Sequence, residues 1–286
     1  YKLVTSEGKY ILTIYEGRTS VEDLPFFMDL MERLNAENFF FFLPYKNKSG
    51  EVLGEIDGKK LSVVSFLDGS GIKKTGNQEA ALAGAKLAEM HNITARISPD
   101  EQYRKNHLAK DFWIKTLSSV QQKAESEFKE LGLNIETGLK LIENKWPENL
   151  PQAIIHADYF PDNVLYDRQS NQITGVIDFY MACNDLIAYD VAIALNAWCF
   201  ERDNDFNITK AKKFLNSYNN VRKLSEEELN ALPTLCVGAS LRFLSTRMYD
   251  YYNRKQGAVV RVKDPLEYLE KLKFHLQIKN YSEYGI

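Results

Sequence analysis

The hydrophobic pattern changes period along the chain. Residues 2–5 and 10–16 alternate like strands around a polar turn at 6–9. Ile11, Thr13 and Tyr15 share one face of the second strand, Leu12 and Ile14 the other. The spacing then lengthens. Leu24, Phe27, Met28, Met31 and Leu34 recur every three or four positions, which predicts a helix over 22–37 with Pro25 in its first turn, where a missing N–H is tolerated. A dense aromatic run at 39–42 ends near Pro44, and strands over 52–56 and 61–66, joined by a turn at 57–60, complete a small antiparallel sheet. Phe66, Leu67 and Asp68, followed by Gly69 and Gly71, read as a hinge where the chain changes direction.

Beyond the hinge, helical spacing dominates. The segment 77–92 has Asn77 as its cap, Glu79 in its first turn, and a small-residue stripe of Ala81, Gly84, Leu87, Ala88 and His91 suited to close packing. Amphipathic helices are predicted over 111–131, with Phe112, Ile114, Leu117, Val120 and Phe128 on the apolar side, and over 136–144. One β-rich passage interrupts them. Ala153, Ile154 and Ile155 form a buried strand, and 164–166 and 173–177 a hairpin around the polar turn at 167–172. Helices resume over 185–200, 208–218, 226–251 and 264–279. Asp190 falls inside the apolar helix 185–200, and a buried carboxylate there needs hydrogen-bonding partners.

The β-rich passage also carries the chemistry. His156, Asp158 and Asn163 follow the buried strand in the pattern H-x-D-x-x-x-x-N, and Asp178 follows the apolar pair Val176 and Ile177. Asp and Asn residues of this loop could simply form turns, which accounts for each residue singly but not for the whole pattern. A loop carboxylate, an Asn one loop further on and an Asp after a strand are the parts of phosphoryl transfer. The first accepts the proton of a substrate hydroxyl, and the other two hold magnesium on the phosphates of ATP.

The wording HADYFPDN (156–163) and GVIDFYMACNDLIAYDVAIALNAWC (175–199) resembles the catalytic segment of the aminoglycoside-phosphotransferase and choline-kinase superfamily, and within it the homoserine kinase branch. The resemblance implies an α+β, bilobal protein-kinase-like fold. A small antiparallel-sheet N-lobe would occupy residues 1–67, and a larger, mainly helical catalytic C-lobe residues 68–286. It also implies that His156 and Asp190 brace the loop carrying Asp158, and that Phe66, Leu67 and Asp68 meet the adenine. Thr13 takes the strand position where kinase-like folds place a phosphate-binding Lys. No such Lys is assigned, so Glu32 reads as a surface residue rather than its partner, and Lys9 and Arg18 as solvated turn charges. A glycine-containing phosphate loop would precede Tyr1. The substrate would be L-homoserine, phosphorylated on the route to threonine. Arg242 and Arg247, in ASLRFLSTRMYDYY (239–252), are candidates for its carboxylate, and Asn184, Asp185 and Asn196 for its ammonium.

Composition narrows the alternatives. The apolar share of 44% and charged share of 26% over 286 residues allow ample core, and the net charge of −3, with both signs interspersed, gives no footprint for nucleic acid or a membrane surface. Cys183, Cys199 and Cys236 are far apart and lack metal-ligand spacing, as expected of reduced thiols in a cytoplasmic protein. Kinases for choline, an aminoglycoside or methylthioribose would share every catalytic residue named above. A pseudokinase-like nucleotide-binding protein is the remaining alternative, supported by Thr13 and opposed by the intact Asp158, Asn163 and Asp178.

Overall fold

The computed structural model describes residues 1–16, 20–39, 43–128, 130–253 and 263–286. Arg18 and most of the aromatic run at 39–42 lie outside them. The N-terminal region is an antiparallel sheet. Strands β1 (Lys2–Thr5) and β2 (Gly8–Ile14) form the first hairpin, helix α1 (Leu24–Ala36) follows, and β3 (Gly54–Ile56) and β4 (Lys59–Ser65) close the sheet in the order β1-β2-β4-β3. A short 3₁₀ turn at Val21–Asp23, capped by Ser20, leads into α1. Leu24, Phe27, Met28 and Met31 of that helix, with Tyr15 of the sheet side, make a separate small core.

Two-residue β5 (Ser70–Gly71) pairs with β7 (Val164–Asp167), which pairs in turn with β8 (Gln172–Val176). The helices are α2 (Asn77–Thr94), α3 (Lys110–Glu127), α4 (Leu131–Lys145), α5 (Ile187–Trp198), α6 (Ile208–Val221), α7 (Glu226–Tyr252) and α8 (Leu266–Gln277). Strand β6 (Gln152–Ile155) runs through their core beside β9 (Cys183–Leu186). Cys183, Cys199 and Cys236 are free and buried.

Three local expectations are corrected. The helix expected from residue 185 begins at Ile187, because 183–186 is strand β9, with Cys183 opposite Ile155. The buried β6 needs a backbone partner on this side, and 183–186 supplies it. Ile114 is 38% exposed, and Trp113, at 1%, takes the buried place instead. Trp113, Leu117 and Val120 are four and three residues apart, so they share a face, from which Ile114 is turned by one helical step. The N-cap of α2 is Gly76, not Asn77: the Gly76 N–H donates to Glu79 Oε2 at 3.0 Å, so the first-turn acid closes the helix end.

The small-residue stripe of α2 meets α6. A Cβ on Gly84 would overlap the carbonyl oxygen of Phe214. Gly84→Ala would force two helix backbones apart, and overpacking of this kind costs about 1–3 kcal/mol. Urea unfolding should show that loss, and an unchanged midpoint would mean that α6 can shift freely.

Candidate active site

Asp190 lies in the first turn of α5 and is fully buried. Its Oδ2 accepts the backbone N–H of His156 at 2.8 Å, and its Oδ1 that of Ala157 at 2.9 Å. The His91 ring reaches the same carboxylate, with Nε2 3.1 Å from Oδ2. Burial pushes the Asp190 carboxyl up, but the His91 hydrogen bond, with the His156 N–H, outweighs it and holds the group below the usual carboxylate range. Burial also pushes His91 below its ordinary value against the pull of Asp190. His91 is therefore neutral, with its proton on Nε2, and Nδ1 accepts from the Tyr218 hydroxyl at 2.7 Å. Arg222 donates to Tyr218 at 3.3 Å and to the buried Glu228 at 2.9 Å, which carries the network to the start of α7. The pattern of the sequence marked His91 as packed but did not pair it with Asp190. The i-to-i+99 separation leaves no local signal.

This anchor holds a strained loop. Ala157 has φ +60°, unusual for a residue with a Cβ. Its N–H is held by Asp190, and its carbonyl accepts from Arg242, whose side chain is buried and stacked on Phe243. The His156 ring donates from Nε2 to the Ile177 carbonyl at 3.0 Å, and its Nδ1 accepts the Asp158 N–H at 3.3 Å. One ring thus ties the turn before Asp158 to the strand end before Asp178. Asn163 donates from Nδ2 to the Asp158 carbonyl at 2.9 Å and to its carboxylate at 3.2 Å.

Asp158, Asn163 and Asp178 therefore meet at one cleft. Asp178 is also in the left-handed region, at φ +64°. It opens to solvent at the mouth of the cleft, while protein fills most of the space behind it. That burial, and next the charge of Asp158, raise its carboxyl above the usual range. Carboxylates gathered this way with one amide oxygen form a hard-donor set suited to magnesium. Among the described residues, no group of three or more His, Cys, Asp or Glu side chains could hold a metal ion, so the amide of Asn163 is essential to that fit.

The hinge segment packs directly on this loop. A Cβ at Gly71 would stand 2.8 Å from the Asp162 carbonyl oxygen, and the Ile72 N–H donates to the Pro161 carbonyl at 2.8 Å. Asp68 gives its carbonyl to Thr174, Leu67 lies against Gly175, and the Phe66 ring carries Lys2 Nζ 4.4 Å from its centre. Thr13 lies in β2 opposite Ser62 of β4.

The residues proposed for the substrate are spread out. Asn184 Oδ1 accepts the Arg104 N–H at 2.7 Å, and Asp185 accepts from Asn106 at 2.6 Å. Asn196 is buried, donating to the Ala192 and Cys236 carbonyls and accepting from Ser240. Arg247 pairs with Glu267 at 2.6 Å. Glu267 also takes Lys271 at 2.7 Å, and Lys271 donates in addition to the Asn196 carbonyl at 2.9 Å. The sequence pattern offered no sign of Glu267 and Lys271, because they are four residues apart on α8 and read as an ordinary helix pair.

The family model for the phosphotransferase enzyme family matches residues 1–224. The chain belongs to the phosphotransferase enzyme family. It is 44% identical over 286 residues to the homoserine kinase of Agrobacterium fabrum, covering 100% of this chain and 87% of that one. It is 43% identical over 286 residues to that of Rhizobium meliloti, covering 86% of its length. Among solved structures, an amicoumacin kinase in complex with AMP-PNP and Ca2+ superposes with a TM-score of 0.73 at 15% identity, over 98% of this chain and 86% of the other. A spectinomycin phosphotransferase gives 0.68 at 14% identity, over 99% and 87%. The architecture is thus the bilobal kinase-like one, and the enzyme is a kinase of this phosphotransferase family.

The neutral, buried His91 sets a pH dependence. The unfolded chain takes up a proton there near its ordinary value of 6.5, while the folded chain does so only at lower pH. Its contribution to stability is present above pH 6.5 and is lost as pH falls below it. His275, pushed down to about 3 by burial and next by the Lys271 charge, acts in the same direction. Denaturation between pH 6.5 and 5 should show stability falling, and His91→Asn should flatten that slope by up to about 1.4 kcal/mol per pH unit. An unchanged slope would show that His91 titrates alike in both states.

Proposed function

We propose that this enzyme transfers the γ-phosphoryl group of ATP, in its magnesium complex, to the side-chain hydroxyl of L-homoserine, giving O-phospho-L-homoserine on the route to threonine. The observation that carries the reading is the meeting of Asp158, Asn163 and Asp178 at one braced loop, in a chain whose relatives at 43–44% identity over its full length are homoserine kinases. Asp158 positions the acceptor hydroxyl and takes its proton as the new O–P bond forms. In a loose transition state the larger part of its work is orientation. Asn163, with Nδ2 committed to Asp158, offers Oδ1 to the cation, and Asp178 offers its carboxylate. Magnesium bound there would neutralise charge on the phosphates and offset the mutual repulsion of Asp158 and Asp178.

Homoserine brings an ammonium and a carboxylate together, so its pocket needs both signs. A cavity of about 670 Å³ beside the loop has them, with Asp162, Glu201 and Glu267 and also Lys73, Arg202 and Lys271 in its lining. Lys271 is nearly buried and fixed by Glu267 and Asn196, so a cation stands preorganised in the wall. Arg247 acts on this pocket through Glu267, whereas Arg242 holds the loop at the Ala157 carbonyl, and Asn184 and Asp185 hold Arg104 and Asn106. Phe66, Leu67 and Asp68 line the hinge side, where the adenine is assigned. No helix among the described residues is long and apolar enough to cross a membrane. The cytoplasm, where ATP is available, is the location this function assigns.

ADP release should depend on L-homoserine in the presence of ATP and magnesium, with choline, methylthioribose, kanamycin and L-serine as comparison acceptors. Asp158→Asn should lower turnover by roughly 10²–10⁴-fold, as expected for a lost general base. Turnover with another alcohol and none with homoserine would keep the mechanism and sink the substrate. ATP binding without turnover on any acceptor would favour the pseudokinase-like alternative.

A further inference from the structure

The cavity beside the catalytic loop has four acids in its lining, Asp162, Glu201, Asp264 and Glu267. They differ in what each has left to offer. Glu267 is fully committed, with Oε1 on Lys271 and Oε2 on Arg247. Asp264 is exposed, and its Oδ1 accepts the Leu266 N–H at the start of α8 at 2.9 Å. Asp162 is exposed too, and its charge bears on Asp178, where the metal is assigned. Glu201 alone of the four is fixed by a buried cation and still has an oxygen open. Its Oε1 accepts from Lys210 Nζ at 2.7 Å and from Asn207 Nδ2 at 2.8 Å, and its Oε2 takes no bond from any described residue. Those partners are themselves held. Lys210 is 3% exposed and also donates to Thr75 Oγ1 at 3.0 Å. Asn207 accepts the Lys210 backbone N–H through Oδ1 at 3.0 Å, which leaves its Nδ2 for Glu201. The backbone closes around the same residue. The Glu201 N–H donates to the Asp205 carbonyl at 2.8 Å, and Asn204, at φ +69°, donates to the Glu201 carbonyl at 3.1 Å. Phe200, the residue before Glu201, carries Lys271 Nζ 5.2 Å from its ring centre, so the carboxylate and that cation belong to one stretch of wall.

We propose that Glu201 is the specificity-determining residue for the ammonium of the acceptor: its open Oε2, set in place by the buried Lys210, receives that group, while the acceptor's carboxylate goes to the corner of Lys271. This deepens the proposed function and rests on the cavity being its acceptor site. The distribution of charge favours the division. Glu267 holds two cations and leaves its corner with positive charge in excess, whereas Glu201 holds one and leaves none. An ammonium is drawn to the open lone pairs of Glu201 and kept from Lys271 by that excess. A buried ammonium such as that of Lys210 needs its carboxylate. The pair therefore holds Glu201 in position before a ligand arrives, and little ordering is left for binding to do.

Isothermal calorimetry of the full chain with AMP-PNP and magnesium compares L-homoserine with γ-hydroxybutyrate, which keeps the carboxylate and the hydroxyl but lacks the ammonium. Glu201→Gln removes the charge. It should weaken L-homoserine roughly 10–100-fold, the scale of a hydrogen bond to a charged group, while γ-hydroxybutyrate binds as before. That change leaves the buried Lys210 without its counter-charge, so the double variant Glu201→Gln with Lys210→Met is run beside it, with thermal unfolding of both. The double variant should recover the melting temperature and keep the selective loss. A loss shared equally by the two compounds, or full affinity for L-homoserine in either variant, would overturn the proposal. So would an unchanged chain that binds the two compounds alike, because the cavity would then hold no ammonium site although the catalytic loop is untouched. Binding of neither compound by a chain that does bind AMP-PNP would instead remove the acceptor site of the proposed function, and this proposal with it.

Discussion

A carboxylate with no access to water holds the active site of this enzyme in shape. Taking Asp190 out of solvent costs several kcal/mol unless its lone pairs are met. They are met by two successive backbone N–H groups, of His156 and Ala157, and by the His91 ring. Its place in the first turn of α5 adds the positive end of the helix dipole. The arrangement works in both directions. The anion needs the loop in order to be buried, and the loop needs the anion in order to keep Ala157 in the left-handed region. Removing one partner would leave the others unsatisfied in a dry interior, which is why such a network behaves as a unit.

The rest of the fold supplies that network with its members. His91 comes from α2, Tyr218 from α6 and Glu228 from the first turn of α7. Gly84 lets α2 and α6 approach closely enough for the His91–Tyr218 hydrogen bond to form. Arg242 arrives from the middle of α7 to take the Ala157 carbonyl. The helical region can therefore be described as a frame around two left-handed residues, Ala157 and Asp178. Each sits one step from a group that must be aimed: Ala157 precedes Asp158, and Asp178 is aimed itself. The His156 ring, bonded to the Ile177 carbonyl, keeps the two in register.

The sequence was most legible where local pattern and chemistry coincide. The strand before His156, the hairpin after Asn163 and the helices of the C-terminal region follow from hydrophobic period alone, and H-x-D-x-x-x-x-N with Asp178 marks three side chains that the fold brings to one cleft. It was least legible where the deciding partner is remote. Strand β9 follows from the unpaired edge of β6, which no window around Asn184 contains. Trp113 displaced Ile114 because an apolar residue at a helix border cannot be assigned to a face until the neighbouring helix is known. Arg242 and Arg247 illustrate the same limit in the site. The sequence shows that two guanidinium groups are present on one helix, but not that one is aimed at a loop carbonyl and the other at Glu267.

Charge is distributed between the two sides of the cleft according to what each must do. In the cavity beside the loop, the half-buried Glu267 is held between the buried Arg247 and Lys271. Fixed charges of both signs suit a small zwitterion, since each end meets a partner already desolvated. On the side of the N-terminal sheet, the contacts that reach Tyr180, two residues beyond Asp178, are hydroxyls and ring edges. Hydroxyls cost little to bury once paired, and they give direction without adding charge. The neutral junction therefore adds no charge of its own beside Asp178, whose carboxyl is already raised by burial and next by the charge of Asp158.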